Sequence, residues 1–223
     1  MKILSWNVNR SNGIWDYLHE KEFSPDIFMF QEYHEKTDNG RSNQIEIIHR
    51  SIDGKPAYWD TVIAARNNKP INYEIENFLG RVTIGKVRLE KEEEVCLVNI
   101  HAQHVEGYYT KWMNNVLDYL EPFITKNKEH LIIGGDLNMG IFFDKLSGRT
   151  NNGDLIERMK SYGLNMYPET EQQTYRHHRK LEPKYPDDYL FISKKWTAKC
   201  EVLYDEKIDK LSDHNPLVLN IDM

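Results

Sequence analysis

Apolar residues fall in short dense runs along this chain, and most runs end in a small polar island. Residues 2–8 carry Ile3, Leu4, Trp6 and Val8, which predicts a buried strand. Ser11 or Asn12 then caps a helix with Ile14, Trp15 and Leu18 on one face, and Ser24-Pro25 stops it. Residues 26–31 form a second apolar strand, with Glu32 just past its end. A strand–helix–strand opening of this kind suits an α/β domain.

Residues 34–56 are polar and irregular, and Ile45, Ile47 and Ile48 within them suggest a short helix. Residues 59–65 predict a strand, followed by a turn at Asn67-Asn68-Lys69-Pro70. The alternation over residues 81–89 predicts a half-exposed strand, and the charged stretch 91–94 returns it as a partner at 95–100. Trp112, Val116, Leu117 and Leu120 share one face of a helix over 111–125, and residues 130–135 predict a buried strand that ends at Asp136. A helix over 154–162 has Gly163 as its C-cap. Strand-like runs at 188–193, 200–204 and 216–221 close the chain. No linker, repeat or low-complexity segment divides the 223 residues, which read as one domain with two central sheets and outer helices.

A hydrophobic content of 39% with 12% aromatics argues against disorder. The net charge of −6 gives no overall basic footprint for nucleic acid, though a local patch can hide inside an acidic total. Cys96 and Cys200 show no CxxC or framework spacing, and Cys96 lies in an apolar run, which predicts a buried reduced thiol. The chain turns polar after four residues and has no run as long as a membrane span. The expectation is a cytoplasmic monomer without a membrane partner.

The polar islands carry the chemistry. Asp136 and Asn138 share one face if the backbone is extended, and Gly134-Gly135 lets the backbone pass close to a ligand, although an Asx turn suits the same residues. Glu32 is a solvated loop glutamate or a ligand to a hard cation such as Mg²⁺, with Asn7 adding a carboxamide oxygen. His101 and His104 have a zinc-like spacing but no thiols nearby, and they sit at a strand end. Asp213-His214 suits acid–base work, with Asp188 as orienter if its strand lies beside the one starting at Pro216. Arg176, His177, His178, Arg179, Lys180 and Lys184 form the densest basic run, either a solvated loop or a contact for phosphates.

Taken in order, the motifs Ile3-Leu-Ser-Trp-Asn-Val8, Gln31-Glu32, Val98-Asn-Ile-His101, Gly135-Asp-Leu-Asn138, Asp188-Tyr-Leu-Phe191 and Ser212-Asp-His214 resemble the endonuclease/exonuclease/phosphatase superfamily, the DNase-I-like fold. The resemblance implies an α/β four-layer sandwich of two packed sheets flanked by helices. It implies Mg²⁺- or Mn²⁺-dependent cleavage of a phosphate ester. Glu32 would then be the main metal ligand with Asn7 beside it, and Asp213 would support the metal or the histidine. Asp136 would activate water, Asn138 would hold a phosphate oxygen, and His214, oriented by Asp188, would bind the scissile phosphate. His101 would stand on the leaving-group side. Asp187 departs from the pattern, because an apolar residue often precedes the Asp-aromatic pair. No segment is diagnostic of one subgroup. The expected substrate is nucleic acid, contacted by Arg176, Arg179 and Lys180. A small phosphorylated molecule, or an inactive binding module of the same fold, is the alternative.

Overall fold

The computed structural model describes residues 1–49, 59–89, 93–106, 108–148, 151–170, 172–176 and 185–223. Its first strand, β1 (Lys2–Asn7), shows why the apolar runs are so dense. Ile3 packs into one core and Leu4 and Trp6 into another, because both faces of the strand are covered. The same alternation recurs in β2 (Ile27–Tyr33), where Ile27 and Met29 face one way and Phe28 and Phe30 the other.

The first sheet adds β3 (Ile45–His49), β4 (Asp60–Arg66), β11 (Thr197–Val202) and β12 (Leu217–Asp222) in the order β11-β12-β1-β2-β4-β3. The second holds β5 (Ile71–Tyr73), β6 (Val82–Arg88), β7 (Glu94–His101), β8 (Leu131–Asp136), β9 (Leu164–Tyr167) and β10 (Asp188–Ser193) in the order β5-β6-β7-β8-β10-β9. Helix α1 (Ile14–Glu20) and, near the chain end, α5 (Glu206–Leu211) cover the outer face of the first sheet. Helices α2 (Tyr109–Asn127) and α4 (Asn151–Ser161) cover the second, and a short α3 (Ile141–Ser147) precedes α4. This is the four-layer sandwich of two sheets flanked by helices.

Several local expectations are corrected. Residues 45–49 are a strand, because the edge of β4 satisfies their backbone in register Ile45↔Arg66 to His49↔Val62 and β-branched residues suit a pleated surface. The strand β6 is buried over Val82–Gly85, not half-exposed, because the opposite sheet and α2 cover its two faces. The cap of α1 is Gly13, with no side-chain hydrogen bond. The strands β10 and β12 lie in different sheets, so Asp188 meets His214 across the sandwich and not along a ladder. The charged turn at 91–94 lies partly outside the described residues.

Glu32 lies inside β2. A register shift between Phe30 and Tyr33 forms a bulge there, and Glu32 takes a φ of 50°. Strict alternation would aim Glu32 at the helices with Phe28 and Phe30. The extra residue gives that place to Tyr33, whose ring stacks on Phe30 at 5.7 Å, and frees Glu32 for the sheet edge.

Gln31 and Asn99 join the two sheets where their inner faces turn polar. Asn99 Nδ2 donates to the carbonyls of Phe30 and Val62 at 2.7 and 2.8 Å, and Asn99 Oδ1 accepts from Gln31 Nε2 at 2.7 Å. Gly135 makes room for this pair, since a Cβ there would stand 2.8 Å from Gln31 Nε2 and 2.9 Å from Asn99 Oδ1. The glycines of β8 therefore allow close contact with the neighbouring strands. Replacing Asn99 by Leu removes the side-chain donor from two buried carbonyls, those of Phe30 and Val62, at about 1–3 kcal/mol each, while Gln31 Nε2 keeps Ser5 Oγ and the Met29 carbonyl. The expected loss is about 2 kcal/mol or more, read as a lower urea midpoint with an unchanged slope. A midpoint within error of wild type would show that the tie is dispensable.

Candidate active site

All six polar strand ends meet at one edge of the sandwich. Asn7 ends β1, Glu32 occupies the bulge of β2, and His101 and Asp136 end the parallel pair β7 and β8. Asp188 begins β10, antiparallel to β8 and paired with Asp136, and His214 precedes β12. Parallel strands leaving the edge and antiparallel strands entering it bring side chains from distant sequence into one cleft of about 290 Å³.

His214 is held from several directions. Its N–H donates to Ser212 Oγ at 3.0 Å, Ser212 Oγ donates to the Asn7 carbonyl at 2.6 Å, and Trp6 Nε1 donates to the His214 carbonyl at 2.9 Å. His214 Nδ1 shares a 2.8 Å hydrogen bond with Asp188 Oδ2, and Nε2 lies 3.7 Å from Asp136 Oδ2. Burial works against a charged ring, but the carboxylates of Asp188 and Asp136 outweigh it and push the imidazole up to about 10. His214 is therefore an imidazolium at neutral pH.

The second histidine is its opposite. Burial, then Arg81 and His214, press His101 down to about 3. Arg81 Nη1 reaches His101 Nδ1 at 3.0 Å, which puts the single ring proton on Nε2. That nitrogen stands 3.6 Å from Asp136 Oδ2 and 3.9 Å from Glu32 Oε1. His104 packs edge-on to Tyr109, and the zinc-like spacing yields no joint site with His101 among the described residues.

Asp136 is buried, and burial pushes its carboxyl up. Asn138 Nδ2 donates to its Oδ1 at 2.7 Å and Asn7 Nδ2 to its Oδ2 at 2.8 Å. Asn138 follows the end of β8 with a φ of 49°, so the two residues do not share an extended face. Asn7 Nδ2 also reaches Glu32 Oε1 at 3.3 Å, while its Oδ1 accepts from the Asn9 N–H at 3.0 Å. Asn7 thus bridges the two carboxylates through its amide nitrogen. Burial raises Glu32 as well, and its buried Oε2 makes no hydrogen bond although Arg10 Nε lies 3.2 Å away. Asp213 lines the same cleft.

Two arrangements here can hold a metal ion. Asp136, Asp188 and His214 each offer a ligand atom, all within 4.8 Å of one another. Glu32, with Asp213 nearby, offers an oxygen-only alternative.

A family model for the endonuclease/exonuclease/phosphatase family matches residues 4–214. The chain belongs to this family. No curated protein matches its sequence. Among solved structures, the endonuclease/exonuclease/phosphatase from Bacteroides vulgatus superposes with a TM-score of 0.73 at 17% identity, covering 100% of this chain and 98% of that one. The endonuclease domain of TRAS1, a telomere-specific non-LTR retrotransposon, gives 0.71 at 18%, covering 99% and 97%. ANGEL2, a 2′,3′-cyclic phosphatase, gives 0.62 at 13%, covering 99% and 94%. At these identities the likeness shows the fold alone.

Of the three residues expected to contact substrate, Arg176 alone falls within the described residues. Arg176 binds the Asn215 side chain, the Ser212 carbonyl and Asp209, so it braces the His214 loop. Arg179 and Lys180 lie outside the described residues. Two residues that the sequence did not single out also matter. Thr174 Oγ1 accepts from the N–H groups of Asp187 and Asp188 at 2.9 and 3.0 Å, and the Tyr175 ring lies 4.8 Å from His214. Neither has a motif signal, because Thr-Tyr in a polar stretch is ordinary loop sequence.

His214 holds its proton more tightly in the folded chain than at its ordinary value of 6.5. Its stabilising effect is complete below pH 6.5 and is lost as pH rises through about 10. Imidazole resonances in a pH titration should show His214 charged at pH 8, and Asp188→Asn should bring its titration down. A neutral ring at pH 8 in the wild type contradicts this assignment.

Proposed function

We propose that this chain is a divalent-metal-dependent phosphoesterase that hydrolyses phosphodiester bonds of nucleic acid. The observation that carries this reading is the buried His214 ring, bonded to Asp188 at 2.8 Å and standing 3.7 Å from Asp136 in a cleft that Glu32 also lines. A fixed cation beside a proton-accepting carboxyl suits attack of water on phosphorus.

A hard divalent cation fits the residues present. Glu32 Oε2 is buried with no hydrogen bond among the described residues, its charge facing Arg10 Nε at 3.2 Å, and burial raises both Glu32 and Asp136, so a cation in the cleft would offset the desolvation of both carboxylates. Mg²⁺ and Mn²⁺ favour oxygen donors, which assigns the ion to Glu32 and Asp213 and leaves His214 to its proton. Asn7 would hold Glu32 in place. When bound, such an ion supplies Lewis acidity toward a phosphoryl oxygen. His214 would donate a hydrogen bond from Nε2 to a phosphate oxygen and stabilise its growing charge. Asp136, steadied by Asn7 and Asn138, would take the proton of the attacking water; a carboxyl raised by burial is suited to this. Asn138 would also meet a phosphate oxygen. The Nε2–H of His101 would face the leaving group.

Nucleic acid is favoured by the rim of the cleft. Trp59, 41% exposed, lies beneath two guanidinium groups, with Arg10 at 4.9 Å and Arg81 at 5.2 Å from the ring. An aromatic face with arginines suits a nucleic acid strand.

Cleavage of plasmid DNA, single strands, RNA and bis-p-nitrophenyl phosphate should require Mg²⁺ or Mn²⁺ and stop in EDTA. Glu32→Gln should weaken metal binding in calorimetry with the fold retained. Asp136→Asn and His214→Ala should each lower kcat by on the order of a hundred-fold or more. Full turnover in EDTA, or near-normal rates in these variants, removes the corresponding assignment. Cleavage of the small ester alone would make the substrate a small phosphorylated molecule.

A second test addresses the strand contact. Arg179→Ala and Lys180→Ala should each reduce the salt dependence of nucleic acid cleavage by about one unit of slope per lost phosphate contact. An unchanged slope would place both outside the substrate path.

A further inference from the structure

A second, larger cavity of about 590 Å³ adjoins the cleft. Tyr109, Asn138 and Tyr175 line both, so the two spaces share a wall. A row of rings leads from one into the other. Tyr175 lies 4.8 Å from His214 and 6.1 Å from Tyr185, and Tyr185 stacks on Phe143 at 5.3 Å with an interplanar angle of 8°. The volume is in the range of small-ligand sites, and the walls are aromatic.

The charges in this cavity are also informative. No Lys or Arg lines it among the described residues. Two carboxyls do. Asp144 is committed to the protein, since it accepts from the backbone and side chain of Asn152 at 3.2 and 2.7 Å and from the Gly153 N–H at 2.7 Å. Asp187 is not. It is 5% exposed, it lines the cavity, and its buried Oδ1 has no hydrogen-bond partner among the described residues. Asp188 next to it turns the other way to His214, so Asp187 has no part in that pair. Among the described residues the cavity has carboxyls and no cation, which disfavours a second phosphate. It accepts a flat neutral ring that carries N–H donors.

We propose that this cavity is a nucleobase subsite, in which the tyrosine and phenylalanine rings stack a base beside the scissile phosphate and Asp187 discriminates among bases through their N–H groups. The proposal rests on the phosphodiesterase reading of the adjoining cleft. A tyrosyl ester fits less well, because its only hydroxyl is esterified and would leave Asp187 buried and unpaired. Asp187 is thus a specificity residue, separate from the catalytic set.

The test is equilibrium binding in EDTA of the four nucleoside 5′-monophosphates, ribose 5-phosphate and phosphotyrosine to the full chain. The wild type should bind at least one nucleotide about ten-fold or more tighter than ribose 5-phosphate, the size expected for one stacked base. Tyr185→Ala should bring all nucleotides to the ribose 5-phosphate level. Asp187→Leu should keep the stacking gain and level the four bases. Should Asp187→Leu fail to fold, the near-isosteric Asp187→Asn should change their rank order. Equal binding of ribose 5-phosphate and every nucleotide overturns the proposal. So does phosphotyrosine binding as tightly as the best nucleotide, or an unaltered base preference in the folded Asp187 variant. Binding in EDTA needs no turnover, so failure of metal-dependent cleavage would sink the hydrolase reading separately.

Discussion

Two packed sheets have a hydrophobic interior that ends where side chains must turn polar, and at this edge the protein has to hold buried amides and carboxylates without leaving their partners unsatisfied. The Gln31–Asn99 pair meets that constraint in part, since both polar atoms of Asn99 and the amide nitrogen of Gln31 are bonded while Gln31 Oε1 is buried without a partner among the described residues. One carboxamide ties β7 to the backbones of β2 and β4, and the other caps its oxygen. Buried amides with these partners resist sliding of one sheet over the other, since any shift breaks several hydrogen bonds at once. Glu32 follows Gln31 directly and His101 lies two residues beyond Asn99. The tie therefore sets the distance between the two halves of the cleft.

Above this floor, the cleft separates two histidines by their neighbours. Both are buried, which alone would make both neutral. His214 stays charged because Asp188 is bonded to it and Asp136 lies close, while His101 is kept neutral by the Arg81 guanidinium on its other nitrogen. One ring is a fixed cation and the other a neutral donor. The division arises from Asp188 in β10, Asp136 in β8 and Arg81 just before β6, and no local segment contains it.

The cleft is also supported from outside. The loop 212–215 is bonded to β1 through Ser212 and Trp6, and to the segment around Thr174 through Asn215 and Arg176. Thr174 in turn holds the start of β10. Arg176 belongs to this bracing, and the aromatic residues on either side of it in sequence, Tyr175 and Tyr185, wall the second cavity. Positioning of His214 and shaping of the neighbouring space thus depend on the same stretch of chain.

The sequence by itself determined the buried strands and the order of the polar residues at their ends. Runs such as Ile27–Phe30 and Leu131–Ile133 are apolar on both faces, and only a strand covered on both sides needs that. Asn7, Glu32, His101, Asp136, Asp188 and His214 stood out because each borders such a run, the first four at its end and the last two ahead of it. Tertiary structure decided the rest. Residues 45–49 became a strand because β4 offered a partner, a long-range fact that local spacing does not carry. Gly134 and Gly135 proved to serve strand contact, and Asn7 to bridge two carboxylates, because neighbours from other strands fill the space around them. The pairing of His214 with Asp188 instead of Asp187 depends on which face of β10 turns toward the other sheet. Pattern shows which residues are withdrawn from water, but the groups that meet them there come from distant strands, and only the packing of the two sheets brings them together.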